Sequence, residues 1–184
     1  MKRQSSLEFA LLGLLQQQAQ SGYDLRKTFA TTAMRHFSDS PGSIYPALRR
    51  LEERRWITAE SPALPVDPRR RRVFRLTAAG RETLVARISL PVTRQDVIWQ
   101  LPELMLRFAF MDGNVPRATA IRFLTDFERE LGGYVEELRG QWEQMGSLVS
   151  IHTGVLAFQS GIEGFEAQLE WARRSRALLA EEPR

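Results

Sequence analysis

The segment Ser40-Pro41-Gly42-Ser43-Ile44-Tyr45-Pro46-Ala47-Leu48-Arg49-Arg50-Leu51 constrains this chain more than any other, because it reads as a short helix built to display side chains rather than to fill a core. Ser40 is a candidate N-cap, and Pro41 suits the first helical position, where a missing N–H costs nothing. Pro46 then removes one backbone bond and predicts an irregular first turn, whereas a start at Ser43 places it harmlessly. Ile44, Leu48 and Leu51 recur at i, i+4 and i+7 as one buried stripe, which leaves Ser43, Tyr45, Arg49 and Arg50 on other faces.

The flanking residues place this helix in a larger unit. Downstream, Trp56 to Glu60 predicts a short strand, Ser61 to Pro68 carries three prolines, and Arg69-Arg70-Arg71-Arg72 leads into a second strand, Val73 to Leu76. The product is a hairpin with a cationic tip. Upstream, Ser5-x-x-Glu8 and Ser21-x-x-Asp24 match the capping-box pattern ahead of apolar stripes at Leu7, Leu11, Leu14 and Leu15 and at Leu25 and Phe29. After the hairpin Thr77 caps a helix bearing Leu84 and Ile88. Three helices, a strand, a wing, a strand and a further helix make a winged helix-turn-helix.

The same residues resemble a known family. Ser6 to Leu15, Ser21-Gly22-Tyr23-Asp24-Leu25, Ser40 to Glu52 and Leu76-Thr77-Ala78-Ala79-Gly80 are similar to the PadR family of bacterial transcriptional regulators. The resemblance spans roughly the first half of the chain and is most specific in Gly42 to Leu51. It implies a homodimeric repressor that releases DNA on meeting a small molecule or another signal, and it points to an aromatic compound or drug-like molecule as the effector.

Charge and composition bound the remaining classes. Residues 1–88 hold 16 Lys and Arg against 8 Asp and Glu, whereas residues 89–184 hold 10 against 14, so the winged-helix half is the basic half. The sequence has no cysteine, which removes disulfides, thiolate metal sites and cysteine redox sensing and is compatible with the cytoplasm. Met1-Lys2-Arg3 ahead of an apolar stretch is a poor signal peptide, since Glu8 interrupts it and Gln16-Gln17-Gln18 follows. No run approaches the roughly 18 apolar residues of a membrane span. With His36 and His152 as the only histidines, and no Gly-x-Ser-x-Gly or phosphate loop, the sequence offers no catalytic constellation, no metal site and no cofactor.

The second half predicts helices. Pro91 stops the preceding helix, dividing the chain into a winged helix-turn-helix DNA-binding domain at 1–90 and a helical dimerisation domain, with a possible effector site, at 91–184. Thr93-x-x-Asp96 starts the next helix, Pro102 splits the stretch from Val97 to Met111, and Asp112 to Val115 forms a turn. Ile121, Leu124, Glu128, Leu131, Val135, Leu138, Trp142 and Met145 then trace a heptad seam with one polar exception. A second seam runs through Ile151, Val155, Phe158, Ile162, Phe165, Leu169 and Ala172, with Arg176 breaking it before Leu179 and a reversal near Gly146-Ser147. Phe123, Phe127, Tyr134, Leu148 and Trp171 lie off the seams or at their margins and predict a dimer through these helices; the alternative is a bundle within one chain that buries them against Leu104 to Phe110. Gly132-Gly133 and Gly140 allow close backbone approach or a bend.

The fold class is therefore mainly α with a small β-wing, and the partners expected are duplex DNA with a pseudo-palindromic operator, a second copy of the chain and a small aromatic effector. Ser43 and Tyr45 are expected to contact phosphate or base edges, Arg49 a guanine or phosphate, and Arg50 phosphate. Arg69, Arg70, Arg71 and Arg72 on the wing contribute salt-sensitive backbone contacts, with Lys2, Arg3, Arg26 and Lys27 as weaker candidates. The competing reading of Arg49, Arg50, Arg54 and Arg55 is a solvated face paired with Glu52 and Glu53, and that of Tyr45 is a ring sealing the helix against its neighbour. A basic winged helix that docks an acidic protein instead of DNA is the functional alternative. Trp99, Phe108, Trp142 and Trp171, with Phe110, are the candidate effector-binding aromatics, against the plainer reading that aromatics at helical spacing form core.

Overall fold

The computed structural model describes residues 5–32, 34, 42–60, 72–145 and 152–181, and its helices and single small sheet form two compact units, Met1–Ile88 and Ser89–Arg184. In the first unit, helix α1 (Ser6–Gln17) starts at a complete capping box in which Ser5 Oγ accepts from the Glu8 N–H at 3.2 Å and Glu8 receives the Ser5 N–H. Every residue from Leu7 to Leu15 is buried, as expected of a helix that is apolar on nearly all sides. Ser21 and Asp24 form a second capping box, at the start of α2 (Gly22–Thr31), whose Leu25 and Phe29 face the core.

Helix α3 (Ile44–Glu53) begins three residues later than a Pro41 start would place it. Pro46 is then its third residue, where a missing N–H leaves no intrahelical bond unmade. Ser40 and Pro41 lie outside the described residues. Ile44, Ala47, Leu48 and Leu51 are its buried side. The helix ends with Arg55 at φ 59°, while the Trp56 N–H reaches back to the Leu51 carbonyl at 3.0 Å. This is a left-handed helix stop of the kind usually given to glycine, here carried by an arginine.

The hairpin pairs β2 (Ile57–Glu60) with β3 (Val73–Leu76) in antiparallel register, from Ile57 opposite Leu76 to Glu60 opposite Val73. A two-residue strand that the sequence pattern did not disclose, β1 (Gln20–Ser21), pairs with the other edge of β3, giving the order β1-β3-β2. Its residues double as the entry to α2, and two residues are too few for an alternating pattern to register. Thr77 Oγ1 accepts the Gly80 N–H at 3.1 Å at the start of α4 (Ala78–Ile88). Gly80 is obligatory there, since a Cβ would lie 2.0 Å from the Trp56 carbonyl oxygen.

The second unit contains α5 (Arg94–Trp99), α6 (Leu101–Ala109), α7 (Arg117–Met145) and α8 (Thr153–Glu181). Thr93 and Asp96 complete a third capping box, and Pro102 sits in the first turn of α6, where it separates two helices without breaking either. Gly113, at φ 67°, turns the chain into α7. Low numbers on α7 meet high numbers on α8: Glu128 pairs with Arg176 at 2.5 Å, Arg139 with Glu166 at 2.6 Å, and Trp142 stacks on Phe158 at 6.2 Å. The two helices are therefore antiparallel. The two residues that interrupt the heptad seams, Glu128 and Arg176, are the two halves of one ion pair.

Three of the marginal aromatics, Phe123, Phe127 and Trp171, pack within the chain around Phe108, which is the contact expected of a single-chain bundle. Phe123 and Phe127 are buried; Phe123 stacks on Phe108 at 5.8 Å, and Trp171 meets Phe108 and Phe127 edge-on at 5.4 and 5.9 Å. Tyr134 likewise packs on Phe165 at 5.2 Å. Leu148, Gly146, Ser147 and Ile151 lie outside the described residues. Helix α7 runs unbroken through Gly132, Gly133 and Gly140, and a Cβ at any of them would meet nothing within 4 Å, so no close approach inside the chain depends on these glycines.

Candidate nucleic-acid interface

The outer face of α3 is organised by what flanks it. With Ile44, Ala47, Leu48 and Leu51 turned inward, a 100° step per residue places Pro46, Arg49 and Glu53 opposite, with Tyr45 and Glu52 along one border and Arg50 and Arg54 along the other. Ser43 stands at the N-terminal end, half-buried, and makes no side-chain capping bond. Tyr45 is 52% exposed, yet its ring edge lies over the start of α2, where a Cβ on Gly22 would come within 2.7 Å of Tyr45 Cε1. The ring thus seals the α2–α3 joint and also reaches solvent.

The arginines are not equivalent. Arg49 is more open than Arg50, Arg54 or Arg72, its side chain 82% exposed and bonded one turn along its own helix, to Glu53 at 3.0 Å. Such a surface pair contributes little to stability and is readily exchanged for another anion. Arg50 and Arg54 instead reach across to α1 and share one carboxylate: Arg50 Nε donates to Glu8 Oε1 at 2.7 Å and Arg54 Nη1 donates to Glu8 Oε2 at 2.8 Å. The guanidinium of Arg54 also lies over the Trp56 ring, 5.0 Å from its centre. Burial pushes the Glu8 carboxyl up, but the Arg50 hydrogen bond, the Arg54 charge and the Ser5 N–H outweigh it and hold Glu8 below its ordinary value. It is ionised at neutral pH.

On the opposite border Arg72 donates to Glu52 at 2.7 Å and lies over Phe74, tying the base of β3 to α3. Arg69, Arg70 and Arg71 lie outside the described residues, as do Lys2 and Arg3. The competing reading, in which Arg49, Arg50, Arg54 and Arg55 pair with Glu52 and Glu53, therefore describes Arg49, while Arg50 and Arg54 pair with Glu8 and Glu52 is met by Arg72. Glu8 was missed as a partner because its own capping-box pattern with Ser5 already accounted for it, although a carboxylate inside the apolar run Leu7 to Leu15 is a signal that a cation must meet it.

The candidate effector aromatics do not converge on one cavity. Phe108 and Trp171 touch each other, Trp142 stacks on Phe158 toward the other end of α7, Phe110 is buried, and Trp99 is 76% exposed. A cavity of about 430 Å³ lies beside Phe108, lined also by Met111, Val115, Arg117, Ala120 and Leu179. Among the described residues no group of three or more His, Cys, Asp or Glu could hold a metal ion, and no helix is long and apolar enough to cross a membrane.

Residues 11–86, the span from α1 through α4, match the model of the transcriptional regulator PadR-like family. No curated protein matches the chain. Solved structures similar to it include Bacillus subtilis PadR in complex with operator DNA, at 24% identity and a TM-score of 0.40 over 94% of this chain and 98% of that one. Bacillus subtilis PadR in complex with p-coumaric acid is similar at 22% identity and a TM-score of 0.40, over 99% of each chain. A PadR-like transcriptional regulator from Bacillus cereus is similar at 24% identity and a TM-score of 0.39, over 96% of this chain and 99% of that one.

Proposed function

From the premise that residues 11–86 form a PadR-like transcriptional-regulator domain, we propose that this protein is a sequence-specific, homodimeric repressor whose hold on DNA is relaxed by a small aromatic molecule. The observation that carries this reading is the outer face of α3. It presents Tyr45 and Arg49 with their polar ends in solvent, on a helix held along both borders by ion pairs rather than by exposed apolar contacts. Inserted into a major groove, the N-terminal half of α3 brings Ser43, Tyr45 and Arg49 to base edges and phosphates, and Arg50 to the adjoining phosphate. Arg69 to Arg72 follow on the wing along the backbone or into a minor groove, where they add salt-dependent affinity.

A palindromic operator requires two copies of α3 roughly 34 Å apart. Support for self-association comes from the helical unit, where Leu156 and Leu178 on α8 are 53% and 67% exposed. The cavity beside Phe108, largely apolar but with Asp112 and Arg117 on its wall, has the volume for a small aromatic effector, and the Phe108–Trp171 contact would report its entry as a change in tryptophan emission. To act, such a ligand must bind unequally to the two arrangements of the dimer.

The deciding experiment is fluorescence anisotropy of the protein on DNA from upstream of its own gene and on a scrambled duplex, across a salt series. Expected is tight binding to the upstream duplex alone, lost in Arg49→Ala and less salt-dependent when Arg69 to Arg72 are replaced by alanine. Equal, weak binding to both duplexes would overturn it in favour of a winged helix that docks another protein.

A further inference from the structure

We infer that Glu8, a buried carboxylate on α1, is a positioning residue for DNA binding, fixing the Arg50 guanidinium for a phosphate from behind. The inference rests on the reading of α3 as a recognition helix. Three observations carry it. The Glu8 side chain is only 3% exposed, whereas Arg50 is 46% exposed, so the carboxylate stands behind the arginine and not beside it in solvent. Arg50 is held through Nε at 2.7 Å, a bond that restrains the side chain along its whole length while engaging an inner nitrogen rather than the two terminal ones. The second carboxylate oxygen is occupied by Arg54 at 2.8 Å and by the Ser5 N–H at 3.4 Å, so Glu8 cannot swing away to follow Arg50.

The consequence is a preformed phosphate contact. A free arginine loses most of its rotamer freedom when it binds a phosphate, whereas Arg50 has lost it on folding, and its planar fork is already oriented. The other two arginines on this side of the molecule play different parts. Arg49 pairs with Glu53 on the surface, a pair readily exchanged for a base edge, and Arg54, 28% exposed and lying over Trp56, is a packing residue. Only a carboxylate suits position 8: the two arginines take one oxygen each, and an amide would turn its N–H₂ toward one of them.

The test is a double-mutant cycle on the full-length protein with the upstream duplex, reading affinity and its salt slope, with the fold of each variant checked by circular dichroism. Glu8→Gln is expected to weaken operator binding roughly five- to tenfold, the scale set by freeing one arginine side chain. The same substitution made in an Arg50→Ala background should cost no further affinity. Arg50→Ala should flatten the salt slope by about one charge, and Arg54→Ala should lower thermal stability with the slope unchanged. A Glu8→Gln effect that persists in the Arg50→Ala background would overturn the inference, assigning the loss to general damage. Should Glu8→Gln fail to fold, Arg50→Lys decides: it keeps the charge but lacks Nε, so wild-type affinity would sink the idea and a comparable loss supports it. Failure of the recognition-helix reading itself is a separate result, since the unmodified protein would then not distinguish the two duplexes.

Discussion

Helices α1 and α8 are both rich in apolar residues, and they use them in opposite ways. In α1 a continuous run from Leu7 to Leu15 is buried, and the one carboxylate within it is met by two arginines. In α8, 29 residues long, Ile162, Leu169 and Ala172 are buried, while Leu156 and Leu178 stand in solvent. The lesson is that the winged unit spends its apolar surface on its own core, and so can hold a precise polar face outward. The helical unit leaves Leu156 and Leu178 exposed among the described residues, and the proposed self-association would cover them.

The largest test of that contrast is Phe9→Ala. Phe9 is fully buried, with the Arg87 guanidinium 4.8 Å from its ring centre, and its truncation should cost about 3–5 kcal/mol in urea unfolding. A loss below about 1 kcal/mol would mean that α1 is not the centre of its unit.

A smaller and pH-dependent effect is expected at Glu8. Because its carboxyl is held below the ordinary value in the folded chain, its contribution to stability is present above that ordinary value and disappears as pH falls through the lower folded one. The stability gap between the wild type and Glu8→Gln should therefore be widest at neutral pH and close as the pH falls below the ordinary carboxylate range. A gap that does not change with pH would show that ionisation of Glu8 is not what joins α1 to α3.

The smallest effect on folding, and the sharpest on assembly, is predicted for Leu178→Glu. Its side chain is largely exposed within the chain, so unfolding of the separated protomer should change by less than about 0.5 kcal/mol. In analytical ultracentrifugation the same substitution should shift the protein from dimer to monomer. A variant that still sediments as a dimer would place the proposed self-association on another surface, and a wild type that sediments as a monomer would overturn it.

Much of this was determined by the sequence alone, because it depended on neighbours a few residues apart. The three Ser/Thr-x-x-Asp/Glu boxes, the capping role of Thr77, the division of α5 from α6 at Pro102 and the two heptad seams are all local patterns, and each element formed where its pattern lay. The motif from Gly42 to Leu51 carried the family resemblance for the same reason. Tertiary structure decided what required distant partners. β1 exists only because β3 offers an edge to Gln20 and Ser21, and Gly80 is needed only because the Trp56 carbonyl lies against it. Phe123 and Phe127 on α7 and Trp171 on α8 stand off the heptad seams in the sequence and find their packing partners once α6, α7 and α8 meet. Position 8 shows the division most plainly. The capping box with Ser5 is written within four residues of chain, whereas the bonds to Arg50 and Arg54 span more than forty and arise only when α1 and α3 pack. A buried charge must find its counter-charge wherever the fold brings one, and the order of residues does not say where that will be.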